Sequence, residues 1–151
     1  MWLPRCALIS LLFLGVSCAA EPNNESEKPL LQSGLEGIDL SHHNGVVDWN
    51  ALSGEGIEFI YLKATEGRDW KDPFFQQHWH DALRNGYYTG AYHFYLLCKP
   101  GRAQADNFIQ SVGVRSDTLP PAVDLEYAEN CADEVDREFI LAELEIYLDA
   151  V

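Results

Sequence analysis

Four short apolar runs rich in β-branched and aromatic residues recur along the chain, each finishing in polar side chains. They are GIDLS at 37–41, FIYLKAT at 59–65, GAYHFYLL at 90–97 and PAVDLE at 121–126. Between and after them, apolar residues return every three or four positions. Phe74, Phe75, Trp79, Ala82 and Leu83 do so in 73–83, Ala105, Phe108, Ile109 and Val112 in 103–112, and Phe139, Ile140, Leu144, Ile146, Tyr147 and Leu148 in 134–151. Strand periods alternating with helix periods predict βαβ units, hence an α/β chain with a parallel sheet. Such sheets curl towards barrels whose sites gather at the carboxyl ends of the strands. The polar residues fall at those ends: Asp39 and Ser41, Lys63 to Glu66, His93 and Tyr95, Asp124 and Glu126.

The fourth run carries the densest chemistry. Strand side chains alternate, so Asp124 and Glu126 are expected on one face with Leu125 on the other, their Cα atoms ~6.6 Å apart. One such carboxylate raises the proton affinity of its neighbour, and a protonated and an ionised carboxyl in one cleft are what glycoside hydrolysis uses. An exposed acidic strand end would have the same composition. Asp39 ends another buried-looking strand, where a carboxylate needs hydrogen-bond partners or a function. Bonds from Ser41 or from the His42 backbone would supply a structural role. Aromatic residues crowd the same edge, and alternation sends about half of them into the core. Tyr92, Tyr127 and Tyr95 are the candidates for stacking on a sugar, with Lys63 and Glu66 as polar contacts.

Charge narrows the partners. The chain has 24 acidic and 10 basic residues, a net charge of −14, and no cluster of Lys and Arg that could neutralise phosphates. Nucleic acid and anionic membrane surfaces are therefore excluded as partners. GxSxG, Walker and GxGxxG motifs are absent, and no spacing of Cys and His suits zinc. His42 and His43, read as part of a strand, would point to opposite sides.

Residues 1–20 read as a secretory leader: Arg5 precedes an apolar stretch that ends in Cys18, Ala19 and Ala20. The stretch is too short for a transmembrane segment. Cys18 also permits the alternative of a lipid anchor, which would tether the protein in the envelope in place of release or a periplasmic location. Residues 21–36 have the Asn, Glu, Ser and Pro content of a flexible linker, with a glycosylation sequon at Asn24. Two cysteines follow, Cys98 and Cys131, each just beyond one of two neighbouring strands, and export makes them a candidate disulfide.

Taken together, GIDLSHHNGVVDW, FIYLKATEG, the segment from Asp72 and Phe75 to His78-Trp79, GAYHFY, QADNFI and LPPAVDLE resemble the successive blocks of the family 25 glycoside hydrolases, the Chalaropsis-type lysozymes. The resemblance implies a β/α barrel that cleaves the β-1,4 bond from N-acetylmuramic acid to N-acetylglucosamine in peptidoglycan glycan strands, without metal or organic cofactor. It further implies Glu126 as general acid, Asp124 as its partner and Asp39 as the first-strand acid. Asp124 would either orient the substrate's 2-acetamido group or stabilise the oxocarbenium ion directly. Residues 37–151 are then expected to be the N-terminal part of the catalytic domain, with only the first four strand-helix units of the barrel. A truncated glycan-binding module and an inactive fragment are the alternative readings.

Overall fold

The computed structural model describes residues 34–128 and 130–151. The leader, Cys18, the sequon and most of the linker lie outside the described residues. Five strands and four α-helices follow in order: β1 (Glu36–Leu40), α1 (Trp49–Leu52), β2 (Ile57–Glu66), β3 (Trp70–Lys71), α2 (Phe75–Arg84), β4 (Tyr88–Phe94), α3 (Gly101–Val112), β5 (Ala122–Asp124) and α4 (Arg137–Ala150), with 3-10 turns at His42–Asn44 and Ala132–Glu134. Glu36, read from the sequence as the last linker residue, is instead the first residue of β1 and pairs with Ile57. The fourth strand is also shorter than its apolar run, and Leu125 and Glu126 leave it.

β1, β2, β4 and β5 form one parallel sheet in that order, and the two-residue β3 folds back antiparallel on the end of β2. The register sorts side chains into rows. Leu40, Leu62 and Ala91 make one row of the helix-covered face; Ile38, Ile60 and Thr89 make another; Thr65, His93 and Val123 make a third. Against them pack Phe75, Trp79 and Ala82 of α2 and Phe108 of α3. The opposite face reads Asp39, Tyr61 and Gly90, then Lys63, Tyr92 and Ala122, then Glu66, Phe94 and Asp124. This is a β/α half-barrel: helices cover its outer face, and acids and aromatics line the inner one.

A bulge makes the third row possible. Lys63 pairs with Tyr92 and Thr65 with His93, which leaves Ala64 as an extra residue on β2. Strict alternation would put Glu66 on the face opposite Lys63; the bulge reverses the parity and puts both inside. Lys63 Nζ then donates to Glu66 Oε2 at 2.7 Å and lies over the rings of Phe94 and Trp70.

On the outer side of the same rung, buried His93 joins Thr65 to Gln104. Gln104 Nε2 donates to the carbonyls of Leu96 and Lys99, while its Oε1 accepts from Leu96 N–H, so Oε1 is the acceptor that faces His93 Nε2. His93 therefore carries its proton on Nε2, and Nδ1 accepts from the Thr65 hydroxyl at 2.7 Å. Burial first of all drives the imidazole down to about 4, so it stays neutral. His93 stands at a strand end but belongs to the core, not to the inner face.

Cys98 and Cys131 are bridged, with Cα atoms 5.7 Å apart, and the bond closes a loop of 33 residues. On the chain-entropy view such a loop contributes roughly 3 to 4 kcal/mol. Nearby, α3 and α4 touch at Gly101, whose N–H donates to Glu143 Oε2 at 2.6 Å. A Cβ there would meet backbone atoms of Glu143 and Tyr147 at 1.7 to 3.2 Å. Gly101→Ala should consequently destabilise by about 2 kcal/mol or more, at or above the middle of the range for overpacking, because backbone cannot rotate aside as a side chain can. Chemical denaturation of the two proteins checks this, and equal midpoints would refute it.

Candidate active site

The inner face opens at the carboxyl ends of the strands into a cleft of about 360 Å³ lined by Asp39, Tyr61, Tyr92, Ala122, Val123, Asp124 and Glu126. Asp39 comes from the end of β1 and Asp124 from the end of β5, and the sheet register sets both on the concave side. Glu126 reaches the same cleft from the segment that follows β5, not by strand alternation. The shared cleft is as the sequence predicts, but its cause differs.

Asp39 is not engaged by Ser41 or by the His42 backbone. Ser41 N–H donates to Asn44 Oδ1 and His42 N–H to Asp72 Oδ2, both at 2.9 Å. The structural role expected for Asp39 is thus filled by Asn44 and the buried Asp72. His42 and His43 lie in a 3-10 turn with ring centroids 3.9 Å apart, so they sit side by side instead of on opposite sides of a strand.

Electrostatics single out Asp124. Burial chiefly, then the negative charges of Glu126 and Asp39, raise its carboxyl above the ordinary range, and Lys63 partly opposes them. Tyr92 is pushed up by burial and by the charges of Asp39, Asp124 and Asp72, so its hydroxyl remains a proton-bearing donor facing the acids.

Sequence patterning missed Tyr61. It stands across from Asp39, and its hydroxyl donates to the Pro120 carbonyl at 3.0 Å, bracing the segment that leads into β5. Its ring lies where a Cβ on Gly90 would come within 2.4 Å, so the glycine makes room for this wall of the cleft. The signal was available, because Tyr61 precedes Lys63 by two and shares its face.

Tyr95 is a correction. It is fully buried against Tyr147 and His93, because it stands three positions after Tyr92 and alternation sends it to the outer face. Tyr127 is exposed and lies outside the cleft lining, and Lys63 and Glu66 pair with each other on the inner face without lining the cleft. Among the described residues, the group with metal-ligand spacing is Cys98, Cys131 and Glu134, but its two sulfurs are bonded to each other and offer no thiolate.

The sequence profile described as Glycosyl hydrolases family 25 matches residues 38–151. The chain belongs to that family. Lysozyme M1 of Streptomyces globisporus is 38% identical over 112 residues, which are 72% of this chain and 38% of that protein. The N,O-diacetylmuramidase of Arthroderma benhamiae is 35% identical over 95 residues, covering 61% of this chain and 40% of its own. Among solved structures, a family 25 glycosyl hydrolase from Bacillus anthracis superposes with a TM-score of 0.72 at 32% identity, over 78% of this chain and 54% of that one. This family 25 chain therefore spans about two fifths of these curated relatives and about half of the solved structure.

The cleft predicts a pH-dependent trade between stability and function. A carboxyl whose folded proton affinity is raised favours the folded state only while protonated, and that advantage is lost as pH rises through its folded value. At neutral pH ionised Asp124 is thus a cost. Asp124→Asn should raise the thermal midpoint at pH 7 by on the order of a few °C, and the gain should vanish at pH values below the ordinary carboxyl range near 3.8. Thermal scans across pH check the sign, and a lower midpoint at pH 7 would contradict it.

Proposed function

We propose that the protein is a muramidase acting on peptidoglycan, with Glu126 as proton donor, Asp124 as its partner and Asp39 as a third acid that positions substrate. The observation that carries this reading is the meeting of three carboxyl groups, Asp39 from β1 and Asp124 and Glu126 from the end of β5 and the residues just beyond it, in one cleft walled by Tyr61 and Tyr92. Glu126 would protonate the glycosidic oxygen as its bond to the anomeric carbon breaks. Asp124 would support the positive charge that develops there, either directly or by orienting the substrate's acetamido oxygen for attack. Water then completes hydrolysis. The tyrosines supply apolar ring faces and, at Tyr92, a hydroxyl donor for a neutral sugar. Tyr127, exposed just beyond Glu126, is proposed as a further surface for the glycan, whereas Tyr95 is not.

Such a substrate lies outside the cell membrane, which agrees with the leader read at 1–20 and with a disulfide formed in an oxidising compartment. Release and lipid attachment at Cys18 both satisfy that placement. Residues 37–151 are proposed as the amino-terminal part of the catalytic domain. No described helix is long and apolar enough to cross a membrane.

The raised carboxyl of Asp124 favours one competing assignment, in which Asp124 carries the proton and Glu126 the negative charge. Substrates with different leaving groups separate the two. Glu126→Gln should lower release of reducing ends from peptidoglycan by ~10²-fold or more, yet retain cleavage of an aryl glycoside whose leaving group needs no proton. Asp124→Asn should impair both. The opposite pattern would exchange the roles, and near-normal peptidoglycan turnover in Glu126→Gln would sink the proton-donor assignment. Binding of glycan strands by the unaltered protein without any cleavage would point to a binding module instead.

A further inference from the structure

Glu126 stands beyond the last paired residue of β5, so something other than the sheet must fix its main chain. The final main-chain rung runs from Tyr95 N–H to the Asp124 carbonyl at 3.0 Å. In a continuing parallel ladder the next would run from Glu126 N–H to the Tyr95 carbonyl. That carbonyl is met instead by Asn130 Nδ2 at 2.7 Å, and the same Nδ2 donates its other proton to the Glu126 carbonyl, also at 2.7 Å. Asn130 Oδ1 accepts from Leu97 N–H at 3.2 Å. One side-chain amide, itself 2% exposed, thus replaces a peptide of the missing strand and ties Glu126 to the extension of β4. The next residue, Cys131, is bonded to Cys98 on that same extension, so the amide is held from its own backbone side as well.

We propose that Asn130 is a positioning residue for Glu126. Its amide caps the β4 extension, turns the chain out of the sheet after Asp124 and fixes the height at which the Glu126 carboxyl enters the cleft. This rests on the reading of Glu126 as proton donor. A residue that merely supports folding would alter stability and leave the chemical step of the folded protein as it was, whereas a positioning residue changes kcat, because small misplacements of a reacting group are costly.

Asn130→Asp tests it, since the change is isosteric, keeps an acceptor for Leu97 N–H and removes both donors. Expected are a fall in kcat on peptidoglycan of about 10-fold to 10²-fold with KM within about twofold, and partial recovery at acid pH, where the introduced carboxyl regains a proton to donate. Amide hydrogen exchange in 124–128 should quicken by roughly tenfold while 57–64 in β2 is unaffected. Should this variant not fold, Asn130→Ser, which keeps one donor, carries the same measurements. An unchanged kcat and pH profile with only a lowered unfolding midpoint would overturn the proposal. If the unaltered protein cleaves no glycan, the muramidase reading fails on its own. The tether is then judged by exchange alone, and unchanged exchange in 124–128 overturns it.

Discussion

The inner face of this half-barrel depends on parity. In a parallel sheet each strand has only two faces, and one of them must bury apolar residues under helices, so whatever chemistry the chain carries is confined to the other. β2 runs for ten residues between β1 and β4, and over its length the single extra residue at Ala64 resets which face each later side chain takes. Thr65 is thereby committed to the buried network with His93 and Gln104, and Glu66 to the inner face with Lys63. The buried network behind the sheet and the meeting of Glu66 with Lys63 on the inner face follow from that one offset, and Lys63, placed before it, partly offsets the charges that raise Asp124.

Much of this was legible in the sequence because it is periodic. The order of strands and helices, the parallel sheet, the cysteine pair and the convergence of Asp39, Asp124 and Glu126 follow from spacing and from residue type. The failures share a cause, which is that local irregularity cannot be counted from a pattern. A tyrosine three places after another in one strand must take the other face, and treating Tyr95 and Tyr92 as companions ignored that parity. Glu126 was given its correct cleft for an incorrect reason, because β5 stops at Asp124 and the turn beyond it is fixed by tertiary hydrogen bonds. His42 and His43 read as strand residues because nothing in their composition reports that Ser41 and Asn44 satisfy each other's backbone across a 3-10 turn. Asn130 carried no signal, being a polar residue in an acidic loop; its role exists only once β4 and the segment after β5 lie side by side.

The cleft also shows how acidity is concentrated without a cation in direct contact with each acid. Asp39 enters from β1 and Asp124 and Glu126 from the end of β5, Tyr92 offers a hydroxyl that burial and the acids keep protonated, and the positive charge that acts on Asp124 belongs to Lys63, which is already paired with Glu66. A site organised in this way holds protons readily and repels anions. Both properties suit a neutral glycan better than a phosphorylated or nucleic ligand, in keeping with the excess of acidic residues in the whole chain.

His93 gives the molecule a property of a different kind. Its ring nitrogens are both occupied, its tautomer is fixed by the orientation of Gln104, and it takes up a second proton and a charge only as pH falls to about 4. Above that point the imidazole is a chemical bystander, yet it lies on the sheet rung directly behind Phe94 and Asp124. An Nε2 proton sealed in this way exchanges slowly with solvent, so its nuclear magnetic resonance signal would serve as an internal gauge. It would record from inside the core whether the sheet beneath the acids is intact, independently of the protons that come and go in the cleft.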